Sequence, residues 1–552
     1  GKCRNINRIN NEKGMRLTLE GLGDREEWER AGIRIPSYDV KAVRERTKKS
    51  PRWVHFGIGN IFRMFHGVIA DDLIASGDLD RGITCVETFD FDVVDRIYRP
   101  YDNLALCVTL RKDGSTEKRV IGPLAEALAA RPDDRTVRAR LQEIFANPAL
   151  QLVTYTITEK GYALSGSDGR FTSAVRADLE AGPDGRLNSA MALTAALLYR
   201  RFQAGALPIA LVSTDNVSRN GEKLREAVLT VAEEWRHRGF VEEEYLQYLR
   251  DESAAAFPWS MIDKITPRPS GAVAEALTRD GVEDMNIVIT DRKTYIAPFV
   301  NAEAPQYLVV EDRFPNGRPP LEKAGVYLTD RATVNACERM KVTVCLNPIH
   351  TALAPYGCLL GIPSFAETIT DPDLRKLADL VGPAEGMEVV VDPGILSPEK
   401  FLDECLNERF PNPYIPDTPQ RIAVDTSQMV AIRFGVTIRA FVEKYGDARR
   451  LRGIPLAIAG WLRYLLAVDD NGKPFELSPD PMNGELTDRL AAVTLGQPDT
   501  LKDQLRPILS NPHIFGMNLY EAGIGDRIEE LVREEISGPG AVRATLRRHL
   551  GR

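Results

Sequence analysis

"RWVHFGIGNIFR" runs from Arg52 to Arg63. An apolar, β-rich run enters it, helix-forming residues leave it, and Gly57 and Gly59 stand at the join. A strand that turns through GxG into a helix brings backbone N–H groups close to a pyrophosphate at the positive end of the helix. The third glycine of GxGxxG is absent, because Phe62 stands there, so the helix must pack on the strand differently. "GITCVETF" (Gly82–Phe89) reads as the second strand and ends in an acid, Glu87. Glu87 follows Gly57 by about 30 residues, beyond the usual ~20, and Asp90 competes for the same role. A carboxylate there accepts hydrogen bonds from an adenosine ribose and repels a 2′-phosphate, which favours NAD over NADP. Arg63 either faces phosphate or is a solvated helix residue. Gly57, Gly59, Asn60, Ile61, Phe62 and Arg63, with Glu87 and Asp90, are the candidate cofactor contacts. The plain alternative is a tight turn that binds nothing.

Working outward, Asn60–Gly77 reads as one helix, Leu104–Gly122 as a hairpin around Asp-Gly, and Leu150–Thr158 and Leu207–Thr214 as further strands. Strands alternating with helices imply a largely parallel sheet. Tyr307–Gly325, rich in Pro, Gly and charge, reads as a connection. Beyond it helical patterns dominate, at Asp330–Met340, Pro348–Leu360, Asp371–Leu380, Gln428–Lys444, Pro455–Ala467, Glu485–Gly496 and Ile528–Gly538. The expected fold is α/β. An extension (1–45) precedes a doubly wound, Rossmann-type nucleotide domain (46–320), and a mainly helical substrate and catalytic domain (321–552) follows.

A chain of 552 residues exceeds one ordinary core. A net charge of −8 without a long basic run argues against nucleic acid or an anionic membrane as the main partner. No apolar run reaches the ~18–20 residues that span a bilayer, and the N-terminus lacks the apolar core of a signal peptide. Met15 is a candidate native start. The cysteines, Cys3 among them, are odd in number, scattered and free of CxxC, which fits reduced thiols in the cytoplasm. Cys345, His350 and Cys358 are the one loose Cys/His cluster, and their spacing is not that of a zinc site. No metal is expected.

"KVTVCLNPIHTALAPYGCLLG" (Lys341–Gly361) places Lys341, Asn347 and His350 in a mostly apolar stretch. Pro348 suits a first helical position and Asn347 an N-cap. A residue before proline disfavours the α region, so the backbone is expected to break between Lys341 and the new helix, which bends at Pro355. Asn347 and His350 then share one side of the first turn, where the macrodipole favours a developing anion. Taken alone, these residues also read as a solvated lysine, a cap and a structural histidine.

Seven segments in order along the chain carry a resemblance. They are "VHFGIGNIFR", "TITEKGY" (Thr156–Tyr162), "STDNVSRNG" (Ser213–Gly221), "MIDKITP" (Met261–Pro267), "VVEDRFPNGRP" (Val309–Pro319), the Lys341–Gly361 stretch and "RFPNPYIPDTPQRIAVDTSQ" (Arg409–Gln428). From about Arg52 onward the chain resembles the polyol-specific long-chain dehydrogenases, the mannitol dehydrogenase family, and within it the hexuronate reductases. The resemblance implies NAD(H)-dependent, metal-independent interconversion of a sugar ketone and a secondary alcohol. It implies catalytic roles for Lys341, Asn347, His350 and Asn216, and substrate contacts at Asp263 and Arg421. The implied reaction is fructuronate to mannonate. Tagaturonate to altronate, a mannitol or arabinitol dehydrogenase, and a non-catalytic sensor of NADH or a sugar acid are the alternatives. The chain departs from the family twice. Five residues, Val342 to Leu346, separate Lys341 from Asn347 where four are usual, and Met429 stands where a lysine often follows "DTSQ".

Reducing a ketone needs a proton donor at the forming alkoxide and dipoles aimed at that oxygen. A lysine in a dry site among positive charges can give and take that proton, and asparagine amides polarise without changing charge. Lys264, Arg409 and Arg421 are basic residues near the motifs that suit a substrate carboxylate. Glu159 reads either as a cofactor-side residue or as an ordinary strand-end charge, and Asp263 and Lys264 either bind substrate or pair at the surface.

Overall fold

The structure, a computed structural model, describes residues 14–551. Cys3 and the residues up to 13 lie outside them. The described chain divides into two compact units. One holds the chain up to Leu110 and Thr116–Arg331, the other Arg111–Ser115 and the chain from Ala332 onward.

The first unit is built on β1 (Trp53–Phe56), α1 (Asn60–Met64), α2 (His66–Ala75), β2 (Ile83–Glu87), β3 (Leu124–Ala129), α3 (Arg135–Phe145), β4 (Leu152–Tyr155), α4 (Ala190–Gln203), β5 (Ile209–Ser213), α5 (Asn220–His237) and β6 (Ala255–Ala256). The six strands form one sheet in the order β3-β2-β1-β4-β5-β6, with every neighbouring pair parallel. In this doubly wound order the direction of winding reverses between β1 and β4, and ligands bind beyond the carboxyl ends of the strands at that point. A sheet covered on both faces needs apolar side chains on both. Val54 and Phe56 of β1 pack into one core with α3, α4 and α5, while Trp53 packs into the other with α1 and α2.

The expected helix Asn60–Gly77 is two helices, broken at Phe65 with φ −102° and ψ −75°. Phe62 stacks on His55 of β1 at 4.0 Å between ring centroids, and α2 starts on a new heading after that first turn. Tyr307–Glu311 is a buried strand rather than a connection. It runs antiparallel to Ser260–Asp263 and parallel to Tyr327–Thr329, and its apolar start is masked in sequence by the Pro- and Gly-rich tail. The hairpin forms as Ala105–Leu110 against Thr116–Ile121. Ile33–Arg34, from the segment set apart as an extension, pairs in parallel with its second strand.

The second unit is helical. It contains α6 (Arg331–Met340), α7 (Asn347–Leu359), α8 (Pro372–Asp379), α9 (Thr426–Arg433), α10 (Gly435–Tyr445), α11 (Gly453–Tyr464), α12 (Gly525–Glu535) and α13 (Ala541–His549). The expected helix Gln428–Lys444 is split into α9 and α10. Gly435 starts the second, where a Cβ would stand 2.4 Å from the Phe515 carbonyl oxygen. α7 and α11 are buried almost throughout and pack together, and α11 packs on α12. Glu385 holds the start of α11, accepting the N–H groups of Arg452, Gly453 and Ile454 at 2.7–3.0 Å. Among the described residues no helix is long and apolar enough to cross a membrane, and all six cysteines are buried thiols.

Candidate functional site

The glycine turn sits at the switch point. Gly57 has φ +95°, and a Cβ there would stand 2.0 Å from the Thr156 carbonyl oxygen, so only glycine lets β1 end this close to the loop after β4. Gly59 differs. Its φ of −82° suits any residue, and an added Cβ would meet no protein atom within 4 Å. Packing does not require glycine at 59. The open backbone there is what a pyrophosphate would need, and the turn fits a dinucleotide.

The side chains around this turn are engaged within the unit. Glu87 is buried. Ile58 N–H donates to its Oε1 at 3.1 Å, and Thr88, Phe89 and Asp90 N–H donate to its Oε2 at 2.9–3.2 Å. Burial pushes its pKa up, and the backbone donors pull the other way. Its carboxylate thus ties the glycine turn to the loop after β2. Asp90 accepts the Thr290 hydroxyl at 2.5 Å. Arg63 is neither solvated nor turned toward open space. It is buried, with Nη1 on the Ala297 carbonyl at 2.8 Å and Nη2 on Asn60 Oδ1 at 2.9 Å. Asn60 Nδ2 donates to the Tyr295 carbonyl. Ile61 packs at the edge of the α1–α2 core and Phe62 lies inside it.

Asn216 is exposed in the loop after β5. Its neighbour Asp215 accepts the N–H groups of Ile157 and Thr158 at 3.0 and 2.9 Å, which joins the loops after β4 and β5. Thr158 is held at φ +62°, an outlier for a β-branched residue. Asp263 and Lys264 are buried at the end of a strand, with Lys264 Nζ 3.4 Å from the Ala304 carbonyl. Glu159 pairs with Lys223 at the surface.

In the second unit, Lys341 opens a π-helical turn, Lys341–Cys345, that continues directly from α6. Leu346 N–H donates to the Lys341 carbonyl at 3.0 Å, an i→i+5 bond. The expected break in the backbone falls at Leu346, which leaves the helical region with φ −123° and ψ −63°. The wider turn takes in the extra residue just before that break, and π-turns of this kind often lie at functional sites. Asn347 is not the cap of α7 but its first residue, and Leu346 occupies the cap position without a side-chain bond. The Asn347 amide therefore makes no capping bond, and its Oδ1 is buried without a hydrogen-bond partner. Lys341 is 3% exposed.

His350 lies one turn further on. Its ring meets Phe365 edge-on at 4.8 Å and Phe410 at 4.6 Å. Burial pushes its pKa down to about 3, Asp417 opposes this, and Arg433, Arg421 and Arg409 reinforce it. The imidazole is neutral at physiological pH and feels the positive charge of three guanidinium groups. Arg421 is already bound by Asp417, its Nε donating to Oδ1 at 2.5 Å and its Nη2 to Oδ2. Arg409 is buried.

The family model of the mannitol dehydrogenase Rossmann domain matches residues 51–323, and that of the mannitol dehydrogenase C-terminal domain matches 333–530. The D-mannonate oxidoreductase of Thermotoga maritima is 52% identical over 98% of this chain and 99% of its own. The polyol:NADP oxidoreductase of Gluconobacter oxydans is 30% identical over 84% of this chain and 88% of its own. Among solved structures, the ternary complex of Pseudomonas fluorescens mannitol 2-dehydrogenase with NAD and D-mannitol superposes with a TM-score of 0.69 at 25% identity, covering 97% of this chain and 99% of that one. The chain belongs to the mannitol dehydrogenase family. It is accordingly an oxidoreductase acting on a CH–OH group.

The mannitol dehydrogenase fold distributes the candidate residues over both units. Gly57, Gly59, Asn60, Phe62, Arg63, Glu87 and Asp90 gather at the glycine turn, with Asn216 and Asp263 elsewhere in the same unit. Lys341, Asn347 and His350 follow one another on two consecutive turns of the helical unit, near Arg409 and Arg421. Among the described residues no cluster of His, Cys, Asp and Glu could hold a metal ion. Sequence reading missed Arg433, which donates from Nη1 to Thr351 Oγ1, next to His350, at 2.9 Å. At the end of a helix an arginine reads as a macrodipole partner, and nothing local in the sequence marks it further.

Proposed function

We propose that this chain is an NAD-dependent, metal-independent oxidoreductase that interconverts D-fructuronate and D-mannonate. The observation that carries the sugar-acid reading is Arg433 bound to Thr351 next to His350, in a positive field to which Arg421 and Arg409 add. A neutral polyol has no need of such a field, whereas a uronate does. The near full-length similarity to a D-mannonate oxidoreductase supports the same choice. The glycine turn would hold the pyrophosphate, and the acids after β2 disfavour a 2′-phosphate by charge. NAD, when bound, supplies the hydride acceptor or donor.

The chain's own residues supply the rest. Lys341 gives a proton to the carbonyl oxygen during reduction and takes one from the hydroxyl during oxidation. The Asn347 amide N–H groups polarise that oxygen without changing charge. The unpartnered Asn347 Oδ1 accepts from a sugar hydroxyl. His350, neutral and packed between two phenylalanine rings, orients substrate and does not serve as the acid.

The test is NADH oxidation with fructuronate, tagaturonate, fructose and xylulose at equal concentration. Fructuronate should give the highest kcat/KM, and NADPH should be the poorer donor. Fructose or xylulose turned over as well as either uronate would move the chain to the polyol dehydrogenases.

A further inference from the structure

Three arginines act on His350 through their charge, and they are not equivalent. Arg421 is clamped by both oxygens of Asp417, a pair four residues apart. Arg409 is buried and already engaged. Arg433 ends α9 with one hydrogen bond, from Nη1 to Thr351 Oγ1, and among the described residues no carboxylate stands against it. Desolvation is the one influence acting on its charge, pushing its pKa down to about 10. Its remaining N–H groups, including the Nε–Nη2 edge that grips carboxylates in a fork, have no acceptor among the described residues, and Nε and Nη2 are not sealed from solvent.

A half-buried cation without an anion is costly in an isolated protein. The cost is recovered when an anion arrives, and the planar guanidinium matches a carboxylate bidentately. Thr351 fixes one side of that fork directly beside His350, so its position is set before any ligand binds.

We propose that Arg433 receives the carboxylate of the sugar-acid substrate and sets the preference for a uronate over a neutral ketose. This rests on the sugar-acid reading above. Arg421, the arginine marked by the sequence motif, then has a positioning role through Asp417 and does not face the carboxylate.

The experiment compares wild type, Arg433→Met and Arg433→Lys in NADH-coupled reduction of fructuronate and of fructose, with NADH affinity measured separately by fluorescence. In Arg433→Met, kcat/KM for fructuronate should fall at least about thirtyfold, the lower end for breaking a buried charged hydrogen-bond pair, mainly through KM. Fructose turnover and NADH affinity should stay within a few-fold. Arg433→Lys keeps the charge but loses the fork, and its KM for fructuronate should rise about tenfold with kcat nearly unchanged. Equal losses on both substrates, or an unchanged fructuronate KM in the lysine variant, would overturn the proposal. If Arg433→Met fails to fold, the lysine variant alone decides. A wild-type enzyme that ignores every uronate would instead defeat the functional reading itself, so the two failures are distinct.

Discussion

The glycine turn of the first unit and the mouth of α7 in the second are both polar places inside apolar surroundings, and they are finished differently. At the turn, most side-chain hydrogen-bonding groups are taken up within the unit, Glu87 by four N–H groups, Arg63 Nη1 by a carbonyl and Asn60 by another, with Arg63 Nε alone left unpartnered. At α7, Asn347 Oδ1 has no partner, His350 is held neutral and Arg433 faces no acid. The contrast teaches a division of labour. The first region offers a shape made of backbone, which suits a common cofactor. The second keeps side-chain groups unsatisfied, which suits chemistry and selectivity, and it bears the desolvation cost.

The largest effect should come from removing the acid. Lys341→Ala is expected to lower kcat on the best uronate at least about a hundredfold while NADH affinity barely changes. Near-normal turnover would erase the contrast, because the helical unit would then hold no essential proton donor.

Gly57→Ala probes the other side. A Cβ at φ +95° and 2.0 Å from a carbonyl oxygen forces the turn open, with strain on the order of 1–3 kcal/mol. NADH affinity should drop at least about tenfold, with kcat at saturating NADH within a few-fold of wild type. An equal loss in kcat would show that the two regions are not separable in function.

The smallest effect concerns a further unsatisfied group of the helical unit. Glu535 is fully buried beneath α7, with Tyr356 donating to Oε1 at 2.7 Å and Oε2 unpartnered. Burial raises its pKa from 4.5 to about 8, so the folded state holds the proton more tightly than the unfolded one. Its contribution to stability is full below the unfolded value and is lost as pH rises through about 8. Glu535→Gln should flatten the pH dependence of Tm across that window and raise Tm by several degrees at pH 8. An unchanged slope between pH 5 and 8 would mean that Glu535 titrates normally.

The sequence made the first unit largely legible. The apolar runs of β1, β2, β4 and β5, the glycines and the Asp-Gly hairpin are local signals, and local signals survive reading one chain. The ties around the turn were not legible, since Asn60 and Arg63 bind carbonyls at Tyr295 and Ala297, more than 200 residues away in sequence. The Tyr307–Glu311 strand was hidden by its neighbours' composition. In the helical unit the existence of α6, α7 and α11 followed from periodicity. The π-turn did not, because an i→i+5 bond leaves no mark in residue preference. Asn347 was given a cap's duty by its type and by Pro348, yet the turn before it decided otherwise. Arg421 drew attention through its motif, although Asp417, four residues earlier, is the spacing at which two side chains meet on a helix and already signalled a pair.

The π-turn at Lys341 has a consequence for how such a site can change. Adding one residue to an ordinary helix rotates everything beyond it by about 100°, which would swing a whole face of side chains away from its partners. Here the insertion is confined to one loop of the spiral. The π-turn ends at Cys345, and α7 starts afresh after the non-helical Leu346. Removing one residue between Val342 and Leu346 should tighten the π-turn to an ordinary helical turn and change the aim of the lysine, with the slack taken up at Leu346. The aim of the proton donor and the architecture that carries it are therefore separately adjustable, and a helix bundle built this way can retarget its chemistry in steps of a single codon.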